Sequence, residues 1–211
     1  MHMPHLLIGG ASRCGKSTLA RKVRQSTDVQ TFSGDAFRTT LRTTAPRCVF
    51  PALHLARAEK FQDEQAFIEH HSTKAAAEID TKRLQAKFVW PFIENYMSAV
   101  EHESGDTVLV DSIDVWPDLV ALSGLSHRAV FLVDTSPDQA ERIISTRGTD
   151  PYDWIHEKRY SDDQIRAWTE FNVQRSALIK ELAGRAGYLC VDLAGTTFSE
   201  AQAAAKGYLL D

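Results

Sequence analysis

Short apolar runs alternate with longer amphipathic stretches along the whole chain. Leu6-Leu7-Ile8 leads into Gly9-Gly10, and residues 5–8 are predicted as a buried strand. Residues 16–25 place Leu19, Ala20 and Val23 at helical spacing, with Arg21, Lys22 and Arg24 on the other side, which predicts an amphipathic helix. Further strands are expected at residues 29–32, 107–110, 129–133 and 188–191. The stretch 36–104 differs in character: after Pro46 and Pro51 it is rich in Ala, Glu, Lys and Gln, which favour helix. Helices are expected there over 52–71 and 73–100, the second kinked or broken near Pro91. Ser136-Pro137-Asp138 has the composition of a helix start. Residues 148–160 read as a polar loop with a turn at Asp150-Pro151, and 162–185 as a long helix whose apolar members are Ile165, Trp168, Val173, Leu178 and Leu182. A short Ala-rich helix follows Gly195. Five strands alternating with helices are the pattern of an α/β fold with a parallel sheet covered on both faces. With no repeat or linker in its 211 residues, the chain reads as one domain over 1–211.

Composition narrows the possibilities. Hydrophobic residues make up 43% and charged residues 25%, as in ordinary globular proteins. A formal charge of −4 argues against a surface built to grip nucleic acid, so no nucleic-acid partner is expected. Cys14, Cys48 and Cys190 are widely spaced and odd in number, which fits neither a disulfide framework nor a metal pair and suits a reducing compartment. The opening residues have neither the basic region nor the apolar length of a signal peptide or membrane span. A cytoplasmic protein with no membrane partner is the expectation, and its oligomeric state is open.

Gly10-Ala11-Ser12-Arg13-Cys14-Gly15-Lys16-Ser17 is a complete G-x-x-x-x-G-K-S, placed between a predicted strand and a predicted amphipathic helix. Glycines let the backbone approach phosphate closely, and successive N–H groups at a helix N-terminus form a concave anion site. Lys16 is expected to reach the β- and γ-phosphates of ATP, and the Ser17 hydroxyl to ligate Mg²⁺. Residues 10–18, including Thr18, are the predicted nucleotide-binding segment. Cys14 reads as a spacer within it, and Arg13 as solvent-facing or near phosphate rather than catalytic.

Leu6 to Gly10 and Lys16 to Ala20 resemble the opening of the small P-loop kinases, the group of adenylate, gluconate, shikimate, adenylylsulfate and 2-phosphoglycerate kinases. Ser33-Gly34-Asp35-Ala36-Phe37-Arg38 is similar to the Gly-Asp-x-x-Arg element of adenylylsulfate kinases. The resemblance implies a P-loop NTPase of three α/β/α layers, with a mainly parallel five-stranded sheet. It implies a helical substrate-binding insert over 36–104 after the second strand, and a lid over 136–160. It also implies that Asp35 lies beside an acceptor hydroxyl and that Arg38 helps bind the acceptor. The chemistry agrees: a carboxylate at the end of a neighbouring parallel strand faces the same crevice as the phosphate loop. The alternative is that Asp35 caps the next helix.

The strand at 107–110 ends on Asp111, which suits Mg²⁺, held directly or through water, with Asp114 a second candidate acid. By the resemblance, Arg142 and Arg147 of the lid clamp the transferring phosphoryl group, and Arg159 is a further candidate. Residues 194–197 would lie near the nucleotide base. Arg38, Arg42, Arg47 and Arg57 open the insert, a set suited to a phosphorylated or carboxylated acceptor or to an ordinary charged surface. His70-His71 has no further partner at metal-ligand spacing, and Phe88, Trp90 and Phe92 read as core. The predicted activity is ATP-dependent transfer of the γ-phosphoryl group to a small-molecule hydroxyl or phosphate acceptor. The alternatives are a nucleotide-hydrolysing regulatory protein and a polynucleotide or toxin-type kinase. Neither Asn95 nor Asn172 is followed by lysine, so the guanine motif of Ras-like GTPases is missing.

Overall fold

The computed structural model describes residues 3–48, 50–54, 61, 63–149 and 153–211. Arg57 and the turn expected at Asp150-Pro151 lie outside them. Five strands form one sheet: β1 (His5–Gly10), β2 (Gln30–Ser33), β3 (Val108–Asp111), β4 (His127–Val133) and β5 (Leu189–Asp192). Their order is β2-β3-β1-β4-β5, and every pairing is parallel.

Alternation of side chains across the pleat divides the core in two. Leu6, Ile8, Leu109, Val130 and Leu132 face one side, packed with Leu19 and Val23 of α1 (Lys16–Arg24) and Ala205 and Leu209 of α9 (Phe198–Leu210). Leu7, Val108, Val110, Ala129 and Phe131 face the other side. There they meet Val89, Trp90, Ile93 and Met97 of α4 (Ala75–Ser104) and Ile165, Trp168 and Ile179 of α8 (Asp162–Ala186). The result is a three-layer α/β/α fold.

The remaining helices are α2 (Gly34–Thr44), α3 (Glu64–Thr73), α5 (Pro117–Val120), α6 (Gln139–Thr146) and α7 (Trp154–Glu157). Of the two expected outcomes at Pro91, the break does not occur: helix α4 runs through it. Pro91 lies on its exposed side while Val89, Trp90 and Ile93 are held in the core, so packing offsets the lost hydrogen bond. The helix expected over 52–71 is shorter: the described part starts at Glu64, where Asp63 accepts from the Ala66 N–H as its cap. Within the polar loop after α6 lies the single turn α7, capped by Asp153. Among the described residues, no helix is long and apolar enough to cross a membrane.

The register aligns the carboxyl ends of three strands. Ile8 and Ser33 both stand opposite Asp111, so the loop after β1, the start of α2 and the end of β3 open on one crevice.

Candidate active site

The phosphate loop fills the turn from β1 to α1. Gly10 has φ +124°, and a Cβ there would stand 1.9 Å from the Leu132 carbonyl oxygen, so strand β4 leaves room for glycine alone. Gly15, at φ +83°, is pressed by the Phe198 ring and the Gln202 amide of α9, and Gln202 Nε2 donates to the Gly15 carbonyl at 3.1 Å. Arg13 also has positive φ, at 60°. Lys16 is 6% exposed, and its Nζ donates to the Ala11 carbonyl at 2.7 Å, curling the side chain back over the loop. Cys14 is fully buried behind the loop, where burial pushes its thiol up to about 12, against the pull of Lys16. It is a packing residue.

A second layer holds this loop from outside. Asn172, fully buried on α8, accepts the Ser12 N–H on Oδ1 at 3.3 Å and donates from Nδ2 to the Ser12 carbonyl at 3.2 Å. Its Nδ2 also lies 3.3 Å from Gln139 Oε1. Sequence reasoning missed Asn172. The signal was available: Ile165, Trp168, Asn172, Ser176, Ile179 and Ala183 recur at helical spacing, so a polar side chain interrupts an apolar stripe. The buried stripe also differs from the one expected, because Val173, Leu178 and Leu182 are only half-buried while Phe171, Ile179 and Ala183 go inside.

Ser17 lines the crevice, and its side chain interacts with that of Asp111 at the end of β3. Burial pushes the Asp111 carboxyl up, Lys16 and the Ser17 bond pull it down, and Asp35 pushes it up again. A hydroxyl and a carboxylate side by side are the hard oxygen donors that a magnesium ion takes.

Asp35 lies in the first turn of α2, lining the same crevice as Lys16 and Ser17. It is not the cap of that helix, since Ser33 accepts the Ala36 N–H. Asp35 Oδ1 instead accepts from the Ser112 hydroxyl and the Ile113 N–H, each at 3.0 Å. Arg38, one turn on, donates to both oxygens of Asp114 at 3.0 and 3.1 Å and lies 3.8 Å from Asp35. Asp114 is 2% exposed, so its partner is Arg38 rather than a metal in the open crevice. Burial raises its carboxyl pKa while Arg38 lowers it. Behind it Arg175, fully buried and pushed down to about 10 by burial, donates to the Ile113 carbonyl at 2.9 Å and stacks on Trp116 at 5.3 Å.

The crevice encloses about 870 Å³. Thr18, Arg38, Arg42 and Lys82 line it, and so do Asp153, Trp154 and Lys158 from the segment after α6. Arg13 Nη1 donates to Asp153 Oδ1 at 2.5 Å, tying that segment to the phosphate loop.

The two arginines expected to clamp phosphate are not brought here. Arg142 bonds Asp134 and Ser136, both at 2.6 Å. Arg147 donates to the Tyr160 carbonyl at 2.8 Å and pairs with Asp162 at 3.0 Å. The fold brings these acids within reach, and each captures its guanidinium. Neither arginine lines the crevice, whereas Lys158 does. Arg47 is exposed on the turn after α2. His71 is buried and donates from Nδ1 to the Phe67 carbonyl at 2.9 Å, while His70 pairs with Glu78. Among the described residues, no group of three or more His, Cys, Asp or Glu is arranged to hold a metal ion by itself.

No family model and no curated protein matches the chain. Solved structures do match. A protein described as an inferred kinase from Chloroflexus aurantiacus is 16% identical with a TM-score of 0.45, over 99% of this chain and 97% of that one. Dephospho-CoA kinase from Campylobacter jejuni is 13% identical with a TM-score of 0.44, over 95% and 94%. A sugar kinase from Janibacter sp. is 14% identical with a TM-score of 0.45, over 98% and 94%.

Proposed function

We propose that the protein is an ATP-dependent kinase that transfers the γ-phosphoryl group to a small-molecule hydroxyl or phosphate acceptor, working as a P-loop enzyme with Mg²⁺. The observation that carries this is the place of Asp35: a carboxylate anchored by Ser112 and Ile113 in the same crevice as Lys16 and Ser17. A protein that only binds nucleotide has no need of an oriented acid there, whereas a hydrolase could turn one on water, and the acceptor dependence tested below separates the two.

In this reading the backbone N–H groups of residues 10–17 and the Lys16 ammonium bind the nucleotide phosphates. Ser17 and Asp111 fit a magnesium ion, which neutralises phosphate charge when bound. Asp35 orients the acceptor hydroxyl and takes its proton as the oxygen bonds to the γ-phosphorus, while the bond to the β–γ bridging oxygen breaks and ADP leaves. Lys158, which lines the crevice from the segment after α6, serves in this reading as the lid cation that meets the transferring group. Much of the rate gain comes from holding the two reactants in line. In this reading, the helices between β2 and β3 supply the acceptor wall.

The test is ADP formation from MgATP across a panel of hydroxyl and phosphate acceptors, with Lys16→Ala and Asp35→Asn alongside. Acceptor-dependent ADP that falls by about 100-fold or more in both variants is expected, in line with the worth of a positioned base. Acceptor-independent ADP that survives Asp35→Asn but not Lys16→Ala would instead mark a nucleotide hydrolase.

A further inference from the structure

We infer that the outer side of α4 is a self-association surface, on which a second copy of this chain packs antiparallel about a two-fold axis close to Pro91. The inference stands independently of the kinase reading.

Helix α4 is apolar on both sides. Its inner side, Ala86, Val89, Trp90, Ile93 and Met97, is buried in the core beneath the sheet. On the outer side Leu84, Phe88, Pro91, Asn95 and Ala99 follow one another at steps of three or four residues and so form one row. Phe92 and Tyr96 border it. Leu84 is 48% exposed, Phe92 40% and Tyr96 36%, and Pro91 and Ala99 are exposed as well. Phe92, expected in the core, is thus half in water. A helix that is apolar all round is normally covered all round.

The patch is continuous. The rings of Tyr96, Phe32, Phe37, Phe92, Phe88 and Phe50 follow one another with centroids 4.5 to 6.3 Å apart, so α2 and β2 extend the apolar ground beside the row. At about 200 Å² for a large side chain, Leu84, Phe92 and Tyr96 alone leave about 250 Å² in water. With Pro91 and Ala99 the patch reaches the few hundred Å² that mark an interaction site.

The charges beside the row say what covers it. Lys87 and Glu94 stand seven residues apart, two turns along one flank, about 10 Å from each other along the axis. That is too far for them to pair within the chain, and among the described residues neither forms an ion pair. A two-fold axis perpendicular to the helix near Pro91 exchanges their heights and keeps their flank. Each Lys87 then meets the partner's Glu94, twice per dimer, as an isologous interface requires. The same axis sets the bulky Leu84 end of one row against the small Ala99 end of the other. Arg83 is already held by Asp118, and Glu101 lies 3.5 Å from His5. Asp80 and Glu101 stand more than two turns from the axis, where crossing helices have diverged. A pair of helix faces buries less than the roughly 1,200 Å² of a standard interface, so the dimer is weak, in the micromolar range.

Sedimentation velocity on the full chain from about 2 to 300 μM tests this. The mass should rise from that of the monomer towards twice it across the range. Leu84→Glu should raise the dimer Kd at least about tenfold. Lys87→Glu and Glu94→Lys each set like charges across the axis twice, and each should raise Kd about three- to tenfold. The double variant Lys87→Glu/Glu94→Lys restores both pairs with the signs exchanged and should return Kd to within about twofold of wild type. All three positions face outward, and circular dichroism with thermal unfolding checks that each variant is folded. A chain that stays monomeric over the whole range overturns the inference, whatever else covers the row. A dimer that Leu84→Glu leaves intact also overturns it, because another surface then pairs. So does a double variant in which the two single effects simply add, because Lys87 and Glu94 then do not meet.

Discussion

Replacing Asn172 with alanine tests whether the phosphate loop is shaped from outside itself. The side chain is fully buried and makes three polar contacts: two with the Ser12 backbone, at 3.3 and 3.2 Å, and one with Gln139 at 3.3 Å. Each contact is long, so each contributes at the lower end of the usual range, about 0.5–1 kcal/mol. Truncation also strands the buried Gln139 amide, leaves the half-buried Ser12 N–H and carbonyl to weaker partners, and opens a void. Together these give a destabilisation of about 2–4 kcal/mol. For a domain of 211 residues that corresponds to a fall in Tm of roughly 6–12 °C. A second effect is separable from the first. Freeing the Ser12 backbone restores about 1–2 kcal/mol of conformational entropy that nucleotide binding must then remove again. Affinity for MgATP should drop about five- to thirtyfold. Thermal unfolding measures the first quantity, and calorimetric titration of MgATP below the variant's Tm measures the second. If Tm stays within about 2 °C of wild type and Kd within twofold, the loop holds its own shape and the role assigned to α8 is wrong.

Two further outcomes follow from single geometries. Gly10→Ala must place a methyl 1.9 Å from the Leu132 carbonyl oxygen at a φ of +124°, and that carbonyl also accepts the Ala11 N–H at 3.0 Å. A loss of at least about 3 kcal/mol is expected, seen in denaturant unfolding, and a variant as stable as wild type would show that β1 and β4 can part here. Asp192 is partly buried, which alone raises a carboxyl pKa, yet bonds from Thr135, Lys180 and Ala194 bring it down to about 2. A depressed folded pKa adds stability above the unfolded value near 4 that is lost as pH falls towards 2. Because Lys180 is half exposed, this is discounted to about 1–2 kcal/mol. Asp192→Asn should therefore cost that much at pH 7 and progressively less between pH 4 and pH 2. A deficit that does not shrink with acid would show that packing, not charge, is what the substitution removes.

What could be read from the chain depended on whether the cause was local. The five strands, the phosphate loop and the ends of α8 rest on runs, periods and caps within a few residues of one another, and each expected strand lies within about two residues of the observed one. The closeness of the Asp35 and Asp111 segments was legible because parallel strands bring their carboxyl ends together, a rule of topology rather than of contact. The fate of Arg142 and Arg147 was not legible. Both belong to the right segment, but Asp134, Ser136 and Asp162 compete for them, and only the fold decides which partner is within reach. Lys158 took the place in the crevice with nothing in its neighbours to mark it. At Pro91 local propensity allows a kink or a break, and tertiary packing of the opposite side of α4 rules out the break.

The acids and bases beneath the crevice also argue for a division of labour. Asp35, Arg38, Asp114 and Arg175 alternate in sign, with Ser112 hydrogen-bonded to Asp35 and lying 3.5 Å from Asp114. Replacing buried charges with well-packed apolar groups is often neutral or stabilising, so such a set is weak evidence for stability. It is better evidence for position. Asp114 and Arg175 are fully withdrawn from solvent and can touch no acceptor, whereas Asp35 and Arg38 line the crevice. The buried pair acts on the exposed pair: Asp114 sets the plane of the Arg38 guanidinium. Arg175 fixes the Ile113 carbonyl, and through that peptide segment steadies the Ile113 N–H that anchors Asp35. If the kinase proposal holds, an acid held this way spends little energy on reorientation when an acceptor arrives, which is the property a positioned base requires.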